Sequence, residues 1–217
     1  MPRAGIEQPV DIRIDSLSLP GVLGLPKGTK SLVIFAHGSG SSRLSPRNTF
    51  VAHTLHEAGM GTLLFDLLTE EEDLVYETRF NIDLIAARLA RTTVWVSNNS
   101  ETRNLVKGYF GASTGAAAAL KAAAKLRTEI SAVVSRGGRP DLVLDILPEV
   151  HAPTLLIVGE RDTTVLGVNR KAYEKLNQPK ELSIVAGATH LFEEPGALEK
   201  AAHLAADWFR KYLVGSF

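Results

Sequence analysis

The chain has 217 residues, of which 45% are hydrophobic and 22% charged, an ordinary globular composition. Its 24 basic and 24 acidic side chains cancel, so it lacks the basic excess of nucleic-acid binders and no nucleic-acid partner is expected. It contains no cysteine, which excludes disulfides, thiolate metal sites and a thiol nucleophile.

The N-terminal stretch MPRAGIEQPV lacks the apolar core of a secretory signal. No apolar run further along approaches the roughly 20 residues that a membrane span needs. We therefore expect a cytoplasmic protein without a membrane partner.

Val10, Ile12 and Ile14 then alternate with charged residues, a period of two that predicts a half-exposed antiparallel strand. Pro20-Gly21 is a turn signal close by, so the chain is expected to open with a hairpin-like pair of strands.

Short apolar runs then alternate with segments of helical periodicity, which predicts an α/β fold. The runs are residues 32–36, 62–65, 105–110, 132–134, 155–158 and 182–185. Nearly continuous apolar runs are typical of strands buried on both faces of a parallel sheet. We predict one α/β domain over residues 1–217, with a mostly parallel, doubly wound sheet and an antiparallel N-terminal edge. Only about 20 residues separate the fourth run from the fifth, too few for a lid domain at ordinary loop lengths.

The motif Gly-x-Ser-x-Gly, residues 111–115, stands between a predicted strand and a predicted helix. In that context the serine lies on a tight turn, and the flanking glycines relieve the crowding around it. The helix N-terminus directs free N–H groups and a positive dipole end at the same place. Ser113 is therefore predicted to be a nucleophile, although a glycine-rich turn with an incidental serine is the alternative.

A serine hydroxyl needs a base, and histidine titrates near neutral pH. His190 follows the last apolar run and precedes the last helix, so its loop is expected to fold back over Ser113. Asp162 follows the fifth run and is predicted to orient the imidazole, with Glu160 as the substitute should Asp162 be a surface residue. The order Ser, Asp, His is the one expected of α/β-hydrolases.

An oxyanion hole needs two donors. The N–H of Thr114, next after Ser113, is predicted to supply one. The other is expected in the loop His-Gly-Ser-Gly-Ser-Ser-Arg at residues 37–43, with Ser39 N–H as the choice and Gly40 as the alternative. Gly38 and Gly40 would let a substrate approach the backbone closely. A nucleotide-binding loop is disfavoured there, because the third glycine of that fingerprint is missing.

Three weaker features lie on or near the predicted site. Arg136 and Arg139 follow the fourth run, and either could meet a substrate carboxylate or phosphate, or simply be exposed. His53 and His56 share a helix face but lack a third ligand, so a solvated face is favoured over a metal site. The acidic residues 70–73 could select a cationic substrate, but such a run is usually a solvated loop.

The segments HGSGSSR, GYFGASTGAAAAL, LLIVGERD and GATHLFEEPG resemble the dienelactone hydrolase-like branch of the α/β-hydrolase superfamily. The resemblance runs from about residue 32 to the C-terminal helix. Within that branch it is strongest to small proteins that occur alone or fused to a phosphoribosyltransferase-like domain. It implies the fold, a serine-hydrolase mechanism and the residue roles given above. The chain departs from dienelactone hydrolase proper, whose nucleophile is a cysteine, because Ser113 stands at that position.

These features predict a serine hydrolase that cleaves a small ester-type acyl bond through an acyl-enzyme, with Ser113, His190 and Asp162 as its triad. The expected partner is a small-molecule acyl substrate, with no metal or organic cofactor, in a monomer or small homo-oligomer. A thioesterase, a peptidase or an acyltransferase would use the same residues. A non-catalytic scaffold that binds a ligand or protein is the alternative from another class.

Overall fold

A computed structural model describes residues 6–215; the first five residues of the N-terminal stretch discussed above and the last two of the chain lie outside the described range. Eight strands form one sheet in the order β1-β2-β4-β3-β5-β6-β7-β8. Their bounds are β1 Ile6–Ile14, β2 Leu17–Leu25, β3 Ser31–Ala36, β4 Gly61–Phe65, β5 Val106–Ala112, β6 Ile130–Arg136, β7 Thr154–Gly159 and β8 Lys180–Val185. Strands β3 to β8 are parallel to one another, and β1 and β2 add an antiparallel edge. The predicted fold class is confirmed.

The N-terminal hairpin turns at a different place from the one predicted. The turn contains Asp15, which has a φ of 55°, and Pro20-Gly21 lies inside β2. The carbonyl of Pro20 accepts a hydrogen bond from Asp66 N at 3.1 Å, just after β4 ends at Phe65. Proline lacks the N–H that would return this bond, but it lies at the end of the β2–β4 pairing, which begins at Gly21, and the loss of a donor is tolerated at such a position.

Helices cover both faces of the sheet, as a doubly wound fold requires. They are α1 Pro46–Glu57, α2 Glu70–Asp73, α3 Ile82–Asn98, α4 Thr114–Leu126, α5 Thr163–Lys175 and α6 Ala197–Phe209, which continues as a π-helical turn over Arg210–Val214. Helices α1 and α6 pack on one face, and α3 and α4 pack on the other. The edge strand β8 departs from the expected two-sided burial, because Ile184 is 45% exposed.

The segment between β6 and β7 contains two short 3₁₀ helices, Pro140–Val143 and Leu147–Glu149, and carries no inserted lid. This agrees with the prediction from its length. No helix within residues 6–215 is long and apolar enough to cross a membrane.

The carboxyl ends of the parallel strands meet at one edge of the sheet. The chain leaves β3 through α1 toward β4 on one side, and leaves β5 through α4 toward β6 on the other. The crevice of such a sheet opens where the winding direction reverses, here between β3 and β5. The loop at residues 37–43 and Ser113 therefore lie side by side at this point.

Candidate active site

Ser113 lies on a sharp turn between β5 and α4. Its φ of 52° and ψ of −122° lie in a region that non-glycine residues rarely adopt. The turn is held by the backbone on both sides: Ser113 N donates to Arg136 O at 3.1 Å, and Ser113 O accepts from Arg139 N and Ala116 N, each at 3.1 Å. Such strain persists only where the surrounding structure enforces it, and it is frequent at functional sites.

The glycines of the motif are required by close backbone contacts. A Cβ on Gly115 would lie 2.1 Å from Ala36 O and 2.4 Å from the carbonyl oxygen of His37. A Cβ on Gly111 would lie 2.4 Å from Ala116 Cα. Both contacts are with backbone atoms, which cannot move aside as a flexible side chain would. Glycine at these two positions therefore lets α4 start directly against β3 and β5.

His190 and Asp162 are brought together by the loops that follow β8 and β7. Nδ1 of His190 lies 2.6 Å from Oδ2 of Asp162, and the side chain of Asp162 is largely buried. The His190 loop is fixed by Phe192, which is fully buried with a φ of 57°. Arg161 N also donates to Ala188 O at 2.9 Å, which joins the two loops.

The hydrogen bond with Asp162 determines which nitrogen of His190 carries the proton. A carboxylate only accepts, so Nδ1 donates and Nε2 of the neutral ring keeps a free lone pair. Glu160, the substitute considered for Asp162, instead accepts a hydrogen bond from Gly187 N at 2.8 Å through its Oε2. Glu160 therefore stabilises the start of the His190 loop and does not contact the imidazole.

The loop after β3 forms a tight turn beside Ser113. Ser41 N donates to Gly38 O at 3.2 Å, and Gly40 has a φ of 67°, which fits a type II turn with glycine at its third position. The N–H of Ser39 points toward the elbow, where it donates to the Thr114 hydroxyl at 2.9 Å. A Cβ on Gly38 would lie 3.2 Å from the Ser113 Cβ. Thr114 begins α4, so its N–H is one of the free donors of that helix terminus.

His37 holds this turn in place, a role that the sequence did not indicate. Its Nε2 accepts from Leu67 N at 3.1 Å, so Nδ1 carries the proton and donates to Gly38 O at 3.0 Å. Burial lowers the pKa of His37, which keeps the ring in this neutral form. The imidazole thereby links the end of β3 to the end of β4.

A cleft of about 270 Å³ opens above Ser113. Its walls come from the turn after β3, the start of α1, the end of β6 and the His190 loop. The lining residues are Gly38, Ser39, Ser41, Ser45, Arg47, Asn48, Ala112, Ser113, Arg136, His190 and Leu191. Arg47, Asn48 and Leu191 were not singled out from the sequence, since helix periodicity does not tell which polar residue of a first turn faces a site.

The two arginines after β6 have different surroundings. Arg136 lines the cleft and is 7% exposed. Arg139 is absent from the cleft lining and forms two hydrogen bonds, both 2.8 Å long, with the carboxylate of Asp141.

The other weak candidates have structural partners. His53 Nε2 lies 3.2 Å from Glu7 Oε1, and His56 Nε2 lies 2.7 Å from Thr62 Oγ1. Within the described part of the chain, no three His, Cys, Asp or Glu side chains cluster closely enough to hold a metal ion. The acidic segment forms α2, where Glu72 caps the helix and pairs with Arg88; this pairing lowers the pKa of Glu72 to about 2.

The family model for an alpha/beta hydrolase domain matches residues 29–207. Two curated relatives from Mycobacterium tuberculosis, both provisionally named phosphoribosyl transferases, are 52% identical to the chain over 209 residues. The match covers 96% of this chain and 47% of each relative, so the chain spans about half the length of these relatives.

Solved structures show the same architecture. A dienelactone hydrolase from Anabaena variabilis superposes with a TM-score of 0.95 at 51% identity, covering 97% of this chain and 99% of that one. Est1E from Butyrivibrio proteoclasticus superposes with a TM-score of 0.81 at 16% identity, over 94% and 98% of the two chains, and at that identity it supports the fold alone. The chain therefore belongs to the α/β-hydrolase family, in its dienelactone hydrolase-like branch.

Proposed function

We propose that the protein is a serine hydrolase that cleaves small carboxylic esters, with Ser113 as nucleophile, His190 as general base and acid, and Asp162 as the carboxylate that orients it. One observation carries the proposal: His190 binds Asp162 through Nδ1 at 2.6 Å and lines the same cleft as the strained Ser113. This arrangement leaves Nε2 of His190 as the nitrogen available to a proton donor in the cleft.

In the first half of the reaction, the Ser113 hydroxyl attacks the ester carbonyl carbon while Nε2 of His190 takes its proton. The carbonyl oxygen becomes an oxyanion. Asp162 stabilises the imidazolium that forms without taking its proton. When the tetrahedral intermediate collapses, His190 gives the proton to the departing alkoxide, and an acyl group remains on Ser113.

The oxyanion would be held by the N–H of Thr114 and by an N–H of the turn after β3. Ser39 N–H is the first candidate, because it points at the elbow and now donates to the Thr114 hydroxyl at 2.9 Å. The substrate oxygen would take over this bond as the Thr114 side chain rotates away. Gly40 N–H, one residue further along the turn, remains the alternative donor. In the second half of the reaction, His190 activates a water that releases the acyl group.

The cleft favours small substrates. A volume of about 270 Å³ lies just below the roughly 300–1,000 Å³ of pockets that hold drug-sized ligands, which suits a short acyl group and a small alcohol. The short segment between β6 and β7 adds no apolar cover for a long acyl chain. Thioester and amide substrates pass through the same acyl-enzyme, so only the leaving group distinguishes these activities.

The proposal is tested by turnover and active-site labelling of the wild-type protein and the Ser113→Ala variant. The substrates are p-nitrophenyl acetate and butyrate, together with an acyl thioester and an anilide of the same acids. We expect ester turnover and a single fluorophosphonate adduct by intact mass for the wild type, and the loss of both in Ser113→Ala. A folded wild-type protein that neither turns over nor labels would overturn the proposal and favour a binding scaffold.

A further inference from the structure

Arg136 is a charged side chain buried without a counter-ion. It is 7% exposed, and its Nε has no hydrogen-bond partner. Within residues 6–215, no carboxylate forms a salt bridge with its guanidinium, and the ring centre of Phe192 lies 5.6 Å from Cζ. Burial, followed by repulsion from Arg47, lowers the pKa of Arg136 to about 10. The group still carries its charge at neutral pH, so the folded chain bears an uncompensated cost.

The fold places this charge beside the reacting serine. Arg136 is the last residue of β6, and its carbonyl accepts the hydrogen bond from Ser113 N at 3.1 Å. Its side chain leaves the sheet on the face covered by α1 and α6 and lines the cleft above Ser113. A ligand in the cleft would therefore contact Ser113 and the guanidinium together.

Two more groups on the first turn of α1 give the same wall a positive and polar character. Asn48 is 3% exposed and lines the cleft, and its unpartnered Oδ1 is a hydrogen-bond acceptor that adds polarity but cannot itself bind an anion. Arg47 stands at the rim, where Glu193 lies 3.4 Å from it in an exposed pair that contributes little. The cleft lining thus contains two arginines and no carboxylate.

We infer that this wall is an anion subsite, in which Arg136 and Arg47 bind a carboxylate or phosphate carried by the substrate itself. The inference rests on the proposed esterase activity and narrows its substrate class to small esters with an anionic group a few bonds from the scissile carbonyl. A guanidinium suits both oxyanions, because its N–H groups form paired hydrogen bonds with two oxygens.

A bound anion would supply what the folded chain lacks. It would neutralise the buried guanidinium of Arg136 and accept the hydrogen bond that its Nε does not make in the folded chain. The small cleft also limits the distance between the anion and the ester, so half-esters of short dicarboxylic acids, or short esters that carry a phosphate group, fit the volume.

Binding is tested first, in a form that does not depend on catalysis. Calorimetric titration of glutarate and of inorganic phosphate into the Ser113→Ala protein should give saturable binding. Arg136→Met should weaken that binding at least about tenfold, the scale of a hydrogen bond to a charged partner. Methionine has a similar length and removes an unpaired buried charge, so this variant is expected to fold, as a thermal melt will show. Arg47→Met, at the rim, is the second variant and should weaken binding less.

Turnover then tests the substrate class with matched esters. The wild-type protein should hydrolyse monoethyl glutarate with a kcat/KM at least about tenfold above that of ethyl pentanoate, which has the same carbon chain without the charge. Ethyl 4-phosphonobutanoate tests whether a phosphorus oxyanion can replace the carboxylate. A comparison of 3-acetoxypropanoate with propyl acetate tests whether the anion can be carried by the alcohol part of the ester instead of the acyl part. The preference should collapse in Arg136→Met.

Arg139→Met is the matched control, because this arginine follows the same strand but pairs with Asp141 outside the cleft. It should keep the wild-type ratio of anionic to neutral turnover. Equal turnover of charged and neutral esters, or a preference that survives in Arg136→Met, overturns the inference. If no ester is hydrolysed, the proposed function fails, and the titration of glutarate and phosphate still decides whether the anion subsite exists.

Discussion

The 2.6 Å hydrogen bond between His190 and Asp162 joins the loops that follow β8 and β7, which are also linked by the bond from Arg161 N to Ala188 O. Asp162 follows β7 at the N-terminus of α5, where its carboxylate is largely screened from water. A charge in such a place interacts strongly with an imidazolium, since little solvent competes with it. The contribution of Asp162 should therefore appear in the reaction barrier more than in substrate binding.

Asp162→Asn should lower kcat by roughly 10³- to 10⁴-fold with little change in KM, because the amide neither stabilises the imidazolium nor enforces the tautomer. Steady-state hydrolysis of p-nitrophenyl acetate measures the effect. Glu160→Gln is the control: it touches only the bond to Gly187 N, and most of the activity should remain. A wild-type kcat in Asp162→Asn, or an equal loss in Glu160→Gln, would contradict the assignment.

At the scale of elements, the junction of β5 and α4 is so close that it excludes even one methyl group. Helix α5 offers a contrast, since a Cβ on its Gly167 would meet nothing within 4 Å. The same substitution therefore has opposite expected effects on two helices. At Gly115 in α4 the effect is determined by tertiary packing, whereas at Gly167 in α5 it is determined by the helix propensity of the residue.

Gly115→Ala should lower the free energy of unfolding by about 1–3 kcal/mol or displace the turn after β3, because the added methyl meets two backbone carbonyls. Gly167→Ala should raise it by about 0.5–1 kcal/mol, as alanine favours an exposed helix. Urea unfolding followed by circular dichroism measures both. Equal effects of the two substitutions would show that the crowding at residue 115 is relieved by movement elsewhere.

At the scale of the whole molecule, the stability of the fold should depend on pH through two buried imidazoles. Burial lowers the pKa of His37 and of His56 below the ordinary 6.5. Below that pH the unfolded chain binds more protons than the folded one, so stability is full above about pH 6.5 and is lost as the pH falls. Glu72 adds a second loss at lower pH, between its ordinary 4.5 and the folded value of about 2.

The urea midpoint should therefore decline from about pH 7 to about pH 5, with up to about 1.4 kcal/mol per pH unit for each imidazole. His37→Gln combined with His56→Gln should flatten this slope. His203→Gln, on the exposed face of α6, should leave it unchanged. A slope that persists in the double variant would locate the proton uptake elsewhere.

The strands, the helices and the elbow follow from local signals in the sequence. Continuous apolar runs mark the parallel strands because both of their faces are buried, and glycines at residues 111 and 115 mark a junction that tolerates no Cβ. The hairpin turn was misplaced because Pro20-Gly21 is a turn signal only where the backbone is free to turn. Pairing with β1 and β4 keeps it extended.

The sequence by itself thus determined the fold class and the order in which the candidate Ser, Asp and His follow one another along the chain. It also determined the edge of the sheet at which they lie, because all of these depend on short-range periodicity and topology. Only the tertiary structure decided that Arg136 enters the cleft while Arg139 pairs with Asp141, and that α1 adds Arg47 and Asn48. Such choices depend on which groups remain unpaired after distant segments pack together, and no local pattern contains that information.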